Sequence, residues 1–200
     1  MATDTRERLV EAGSRLFQRQ GLAGTGIKQI LSEANAQFSS LYHHFPGGKD
    51  ELAVDVIRAS GLHYQQLVET VWDAAPDVVT GVRAIFEGAA AVLEATDYAD
   101  ACPIATVALE VASTNEPLRV ATAEVFDAWT HAGTARFVDS GVGAAESRRL
   151  ALTVIALLEG AFVLGRATRS VEPMASAAEA AVTVVRRALD LVGSPAGSPQ

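Results

Sequence analysis

Residues 37–49 read Gln37-Phe38-Ser39-Ser40-Leu41-Tyr42-His43-His44-Phe45-Pro46-Gly47-Gly48-Lys49. Small and polar residues come first, then aromatics, then a proline–glycine corner, then a lysine where a new helix can begin. The spacing predicts a short helix over 37–44, with Leu41 facing inward and Phe45 as an anchor behind it. Pro46 cannot continue that helix, because it lacks an amide hydrogen and clashes with the preceding turn. Gln37, Phe38, Ser39 and Ser40 occupy the first turn and a little more. Small or polar side chains there suit a helix that enters a DNA major groove and touches base edges. Tyr42 and His43 follow toward the groove rim, where phosphates lie. Lys49 opens the next helix, so its ammonium and the amides of that helix start can hold one phosphate together.

Upstream, Leu9, Ala12, Gly13, Leu16 and Phe17 recur at helical spacing, which predicts one amphipathic helix over 4–20. Gly21 stops it. Thr25 is placed to cap a second helix over 27–34, with Ile30, Leu31 and Ala34 inward. Asn35 sits at the following turn, where few non-glycine residues tolerate a left-handed backbone. A supporting helix followed by two short helices around a tight turn is a helix-turn-helix. On spacing alone, an ordinary helical hairpin with Tyr42 and the histidines on its surface remains the alternative.

The rest of the chain is also helical by periodicity. Helices are expected near 49–72, 78–96, 103–113, 117–139, 145–170 and 173–192, giving an all-α protein of about nine helices. Pro103, Pro117 and Pro173 each fall at a helix start, where a missing N–H costs little. The tail 193–200 is Gly/Ser/Pro-rich and expected to be disordered. The apolar run Leu150–Gly165 is interrupted by Glu159 and reads as a buried helix, not a membrane span. Glu159 is expected to pair with an arginine such as Arg166 or Arg169, in its own subunit or a neighbour, with a hydrogen bond to a ligand as the alternative.

Composition narrows the function classes. The chain has 200 residues, 49% of them apolar, and a single cysteine, Cys102, so no intrachain disulfide can form. With no apolar signal core at the N-terminus, a cytoplasmic protein is expected. The net charge is −8, yet residues 1–49 hold six Lys/Arg against four Asp/Glu. A mildly basic head on an acidic body suits a modular DNA binder. No phosphate loop, dinucleotide glycine pattern or metal-ligand spacing occurs, so neither an enzyme nor a cofactor or metal is expected.

The stretch Gly21-Leu-Ala-Gly-Thr-Gly-Ile-Lys-Gln-Ile-Leu-Ser-Glu-Ala-Asn35, with Ser40-Leu-Tyr-His-His-Phe-Pro-Gly-Gly-Lys-Asp-Glu-Leu52, resembles the DNA-binding domain of TetR-family transcriptional regulators. The downstream Ala101-Cys-Pro-Ile-Ala-Thr-Val-Ala-Leu-Glu110 and Trp129 are similar to the LmrA/YxaF-like branch of that bacterial family. The resemblance implies a DNA-binding domain over 1–48 and an effector-binding and dimerisation domain over 49–192. It implies base reading by Gln37, Phe38, Ser39 and Ser40, and phosphate contacts from Thr25, Lys28, Tyr42, His43 and Lys49. The sequence departs from the family pattern at three positions. Asn35 stands where glycine is usual, and Gly26 where a hydroxyl residue is common. Phe38 stands where Lys or Arg is common, which removes a charge and adds a ring able to meet a thymine methyl.

In the acidic body the resemblance implies a small hydrophobic or aromatic effector. Phe86, Phe126, Trp129, Phe137 and Phe162 are candidate lining residues, with Cys102 and Glu110 as polar handles. It also implies a homodimer built on the last two helices, for which Gly160, Ala161, Leu164, Ala167, Ala181, Val185 and Leu189 are the candidate interface. The expected protein is a dimeric repressor of a palindromic double-stranded DNA operator, released by its effector. The alternative is a helical small-molecule-binding protein without DNA-binding function.

Overall fold

The computed structural model describes residues 4–193, and every regular element among them is a helix. In chain order these are α1 (Thr5–Gln20), α2 (Ile27–Glu33), α3 (Phe38–His44), α4 (Lys49–Asp73), α5 (Val78–Ala95), α6 (Pro103–Val111), α7 (Glu116–Asp139), α8 (Ala144–Thr168) and α9 (Glu172–Gly193). The all-α expectation holds, and the helix ends fall within about two residues of those expected, which is within ordinary boundary scatter. Apart from Gly193, which ends α9, the tail 193–200 lies outside the described residues.

Packing divides the chain elsewhere than at residues 48 and 49. One unit comprises residues up to Gln66 together with Ala99–Phe126; the second comprises Leu67–Tyr98 and the residues from Asp127 onward. The divisions fall inside α4 and α7.

In the first unit, α1 buries Leu9, Ala12, Gly13 and Phe17. Gly13 permits close approach to α4, because a Cβ there would lie 2.6 Å from Val56 Cγ2. α4 answers with Leu52, Ala53, Val56 and Ile57, all fully buried. α6 adds Ile104 and Val107, and α7 adds Leu118 and Ala121. Burying each such large aliphatic side chain contributes about 1.5–3 kcal/mol. Where α4 meets α7, Gly61 leaves room for Val125, whose methyl would lie 2.5 Å from an added Cβ.

The second unit is built on α5, α8 and α9. Val82, Phe86, Leu93, Phe137, Leu150, Val154, Met174, Ala181 and Val185 form its core. The Trp72 indole meets Phe137 edge-on at 5.6 Å and fills space left open by Gly81. An Arg83–Glu179 ion pair at 2.6 Å joins α5 to α9. At the ends of α5 and α8, Arg169 bonds Asp97 at 2.5 Å, and Arg166 Nε donates to the Tyr98 carbonyl at 3.3 Å.

The apolar run in α8 is not buried on all sides. By length and composition α8 could cross a membrane, and only 28% of its apolar window is buried. Ala151, Val154 and Ala161 face the core, whereas Leu152, Val163 and Leu164 are 48–57% exposed.

Candidate nucleic-acid interface

Local sequence shapes the head. The α2–α3 turn passes through Asn35 at φ 46°, the left-handed conformation expected of it. Ile30, Leu31, Ala34, Leu41 and Phe45 are all buried, which fixes the angle between α2 and α3. Gly48 turns the chain at φ 71° before Lys49 opens α4. Arg6 lies over the Phe45 ring at 5.5 Å and so covers the anchor from α1.

With Leu41 turned inward, the opposite face of α3 is open. Gln37, Phe38, Ser39, Tyr42 and His43 are exposed, and Ser40 is half-buried. The Phe38 and Tyr42 rings sit 5.2 Å apart, tilted by 51°. The result is an apolar–aromatic ridge flanked by an amide and hydroxyls, with no carboxylate on α3. Lys28 projects from α2 beside Gln29, Ser32 and Glu33, where these residues and Leu16 line an open hollow.

Two of the expected phosphate groups are engaged within the protein. Thr25 does not cap α2: Gly26 occupies that position, and Gln29 Oε1 accepts the Gly26 N–H at 2.7 Å. Thr25 is 1% exposed, and its hydroxyl donates to the Gly21 carbonyl at 2.6 Å. It pins the α1–α2 turn from inside and presents nothing to a phosphate. Lys49 Nζ donates to the Leu22 carbonyl at 2.5 Å. Its ammonium has three hydrogens, so the bond leaves others for a phosphate. The first turn of α4 also carries Asp50 and Glu51; Glu51 accepts the Gly47 N–H at 2.7 Å. These carboxylates offset much of the positive field at that helix start.

The basic excess of the head is likewise partly offset. Arg6 pairs with Asp55, Arg15 with Glu33 and Arg19 with Asp100. Charge counting over residues 1–49 missed two of these partners, because Asp55 and Asp100 lie further along the chain.

The expected effector residues divide between the units. Phe86 is buried in the core of the second unit, with Phe162 packed against that core; Trp129 is half-buried. Cys102, Glu110 and Phe126 belong to the first unit. Cys102 Sγ accepts the Ala105 N–H at 3.5 Å, which caps α6. Glu110, expected as a ligand handle, has its carboxylate on the head: Oε2 accepts the Ala23 N–H at 2.7 Å. No local pattern announces a bond spanning 87 residues.

The expected interface residues also separate. Ala161, Ala181 and Val185 are core residues of the second unit, at 3%, 0% and 0% exposure, and Leu189 is half-buried. Gly160, Leu164 and Ala167 are exposed. Among the described residues no cluster of three or more His, Cys, Asp or Glu could hold a metal ion.

A three-helix head with an exposed α3 and a long-helix body defines a helix-turn-helix regulator. Residues 9–56 match bacterial regulatory proteins of the tetR family, and residues 78–180 match the C-terminal domain of LmrA/YxaF-like transcriptional regulators. The chain is 30% identical over 184 residues to the HTH-type transcriptional regulator YxaF of Bacillus subtilis (strain 168), spanning 92% of this chain and 96% of that protein. It is 30% identical over 171 residues to LmrA of the same organism, spanning 86% and 91%. A TetR transcriptional regulator from Chloroflexus aurantiacus has the same fold, with a TM-score of 0.75 at 25% identity, covering 92% of this chain and 94% of that one. This chain belongs to the TetR family of bacterial transcriptional regulators, in its LmrA/YxaF-like group. It is a regulator of transcription and not an enzyme.

Proposed function

We propose that the protein is a cytoplasmic, ligand-responsive repressor that binds a palindromic operator as a homodimer. The observation that carries this reading is the open face of α3, where Gln37, Phe38, Ser39, Tyr42 and His43 stand exposed above a buried Leu41 and Phe45. Such a face makes base-edge contacts in a major groove. Lys28 and one N–H of Lys49 supply backbone contacts beside it.

Dimerisation is supported by an apolar stripe left outside the core of the second unit. On α8 it comprises Leu152, Gly160, Val163, Leu164 and Ala167; on α9, Ala180, Val184 and Leu191. Two-fold pairing through this stripe presents two reading heads to the half-sites of a palindrome.

The effector reading rests on the second unit. Phe162 and Trp72 each pack against a core that includes Phe86, and the buried Trp72 N–H has no hydrogen-bond partner. A buried donor without an acceptor is costly, and an acceptor on an aromatic ligand relieves that cost. Release follows when the effector binds the DNA-incompetent state better than the competent one.

Selection of bound DNA from a random library, repeated with a panel of aromatic compounds, tests the whole reading. A two-fold-symmetric site whose occupancy falls with one class of compound is the expected result. Absence of any sequence preference sinks the DNA half; a preferred site indifferent to every compound sinks the effector half.

A further inference from the structure

The turn between α1 and α2, Gly21 to Gly26, sets where α2 starts and hence how α2 and α3 are presented. It has little hydrophobic purchase of its own: Leu22 is buried, but Ala23, Gly24 and Gly26 are exposed. What fixes it is polar. Within the turn, Thr25 N–H donates to the Leu22 carbonyl at 3.2 Å and Thr25 Oγ1 to the Gly21 carbonyl at 2.6 Å.

From the flanking helices, Gln20 Nε2 donates to Thr25 Oγ1 at 3.3 Å and Gln29 Oε1 accepts the Gly26 N–H at 2.7 Å. Two bonds from more distant helices, α4 and α6, meet on one peptide group. The carbonyl of the Leu22–Ala23 peptide accepts from Lys49 Nζ at 2.5 Å, at the start of α4. Its N–H donates to Glu110 Oε2 at 2.7 Å, near the end of α6. A cation holds the negative end of this peptide dipole and an anion the positive end. Both bonds are charge-assisted, the stronger class of hydrogen bond.

α6 is secured to the same helix at its other end. Arg19 bonds Asp100 at 3.0 Å, and the Ala101 N–H donates to the Gln18 carbonyl at 3.3 Å. The segment from Asp100 to Glu110 lies within the region matched as the C-terminal domain, yet it grips the end of α1 and the turn that follows. The Glu110 carboxylate also occupies the space a side chain at position 21 would need.

We propose that Glu110 is a positioning residue for DNA binding: with Lys49, it clamps the Leu22–Ala23 peptide and so sets the placement of α2 and α3. Any shift of α6 is then delivered to the reading head through this bond. The inference rests on DNA being read by α3, but the clamp itself can be measured without DNA.

The sign of the effect separates positioning from plain electrostatics. Removing a carboxylate from a DNA-binding head reduces repulsion of phosphate, so a purely electrostatic Glu110 predicts tighter binding in Glu110→Ala. The clamp predicts weaker binding, by about tenfold for loss of one charge-assisted bond. Glu110→Gln removes the charge but keeps an acceptor oxygen, so it restores most of the affinity. The slope of affinity against salt stays at its wild-type value in both variants, because no phosphate contact is lost.

The experiment titrates the full-length protein and both variants against the operator recovered by library selection, and follows amide exchange of the Ala23 region in the free proteins. Faster exchange and weaker binding in Glu110→Ala, with both restored in Glu110→Gln, support the clamp. Tighter or unchanged binding in Glu110→Ala overturns it. Unchanged Ala23 exchange overturns it too, even where no operator has been found and the DNA reading itself has failed.

Discussion

Phe38 and Tyr42 lie one helical turn apart on the solvent face of α3, their ring centroids 5.2 Å apart and their planes tilted by 51°. Phe38 is 59% exposed, so burial does not account for it. Its place is the first turn of α3, the proposed reading helix, and its ring lies tilted to that of Tyr42. Phe38→Ala is expected to relax base preference at one position in each half-site without altering salt dependence. Phe38→Lys instead adds a phosphate contact, steepening the slope of log affinity against log salt by about 0.9 per head. Library selection at two salt concentrations reads both outcomes; identical preferences in all three proteins would remove Phe38 from the interface.

Gly21 and Gly88 make a matched pair of substitutions. Gly21 has φ 71° and ψ 179°, a region that side-chain-bearing residues avoid. Gly21→Ala should cost ~1–3 kcal/mol in backbone strain alone. It also displaces the Glu110 carboxylate. Gly88 lies in α5 with nothing within 4 Å of an added Cβ, so Gly88→Ala should stabilise by ~0.5–1 kcal/mol. Urea denaturation midpoints in opposite directions are the expected result.

The exposed stripe on α8 and α9 predicts a separation of assembly from folding. Leu164→Glu combined with Val184→Glu should yield a folded monomer by sedimentation, with operator affinity much reduced. Ala181→Glu should unfold the chain, because it puts a charge into a site with 0% exposure. A Leu164/Val184 variant that stays dimeric would move the interface elsewhere.

Trp72 gives the effector reading its sharpest handle. Trp72→Phe removes the unpartnered indole N–H while keeping an aromatic ring against Phe137. Stability should hold or rise slightly, whereas affinity for an acceptor-bearing effector should fall roughly tenfold, the worth of one buried hydrogen bond. Calorimetry with the compound found by screening measures it, and an unchanged affinity excludes the indole from the site.

Acid sensitivity should trace in part to the start of α5. The Thr80 amide and hydroxyl hold the Asp77 carboxyl below its ordinary value of 3.8. A carboxylate depressed in the folded state stabilises above its unfolded value, and that contribution is lost as pH falls through the lower folded value. Asp77→Asn keeps a cap that does not titrate, so its stability should fall less steeply below about pH 4. Glu116 and Glu179, lowered by Arg119 and Arg83, add to the same limb in both proteins. Parallel acid limbs in wild type and Asp77→Asn would contradict this.

Much of the head was legible in advance because its signals are local. Pro46 and Gly48 end α3, Asn35 takes a left-handed turn, and Leu41 and Phe45 fall inward by helical spacing. The signals that failed were those of direction and distance. Thr25 has the chemistry of a cap or a phosphate ligand, but the chain curls back and its hydroxyl finds Gly21. Ala181 and Val185 share composition with Gly160 and Ala167, yet the first two face their own core and the others face out. Small residues announce close packing without saying against what.

Sequence by itself determined the helices, their ends and which face of α3 lies open, because propensity, capping and periodicity act over a few residues. It also carried the family resemblance that the comparisons bear out. Only the tertiary structure decided that Lys49 and Glu110, 61 positions apart in the chain, hold opposite ends of one peptide group. Side chains that distant meet only after α1, α4 and α6 have packed, since a hydrogen bond depends on ångström-scale placement that no local pattern encodes.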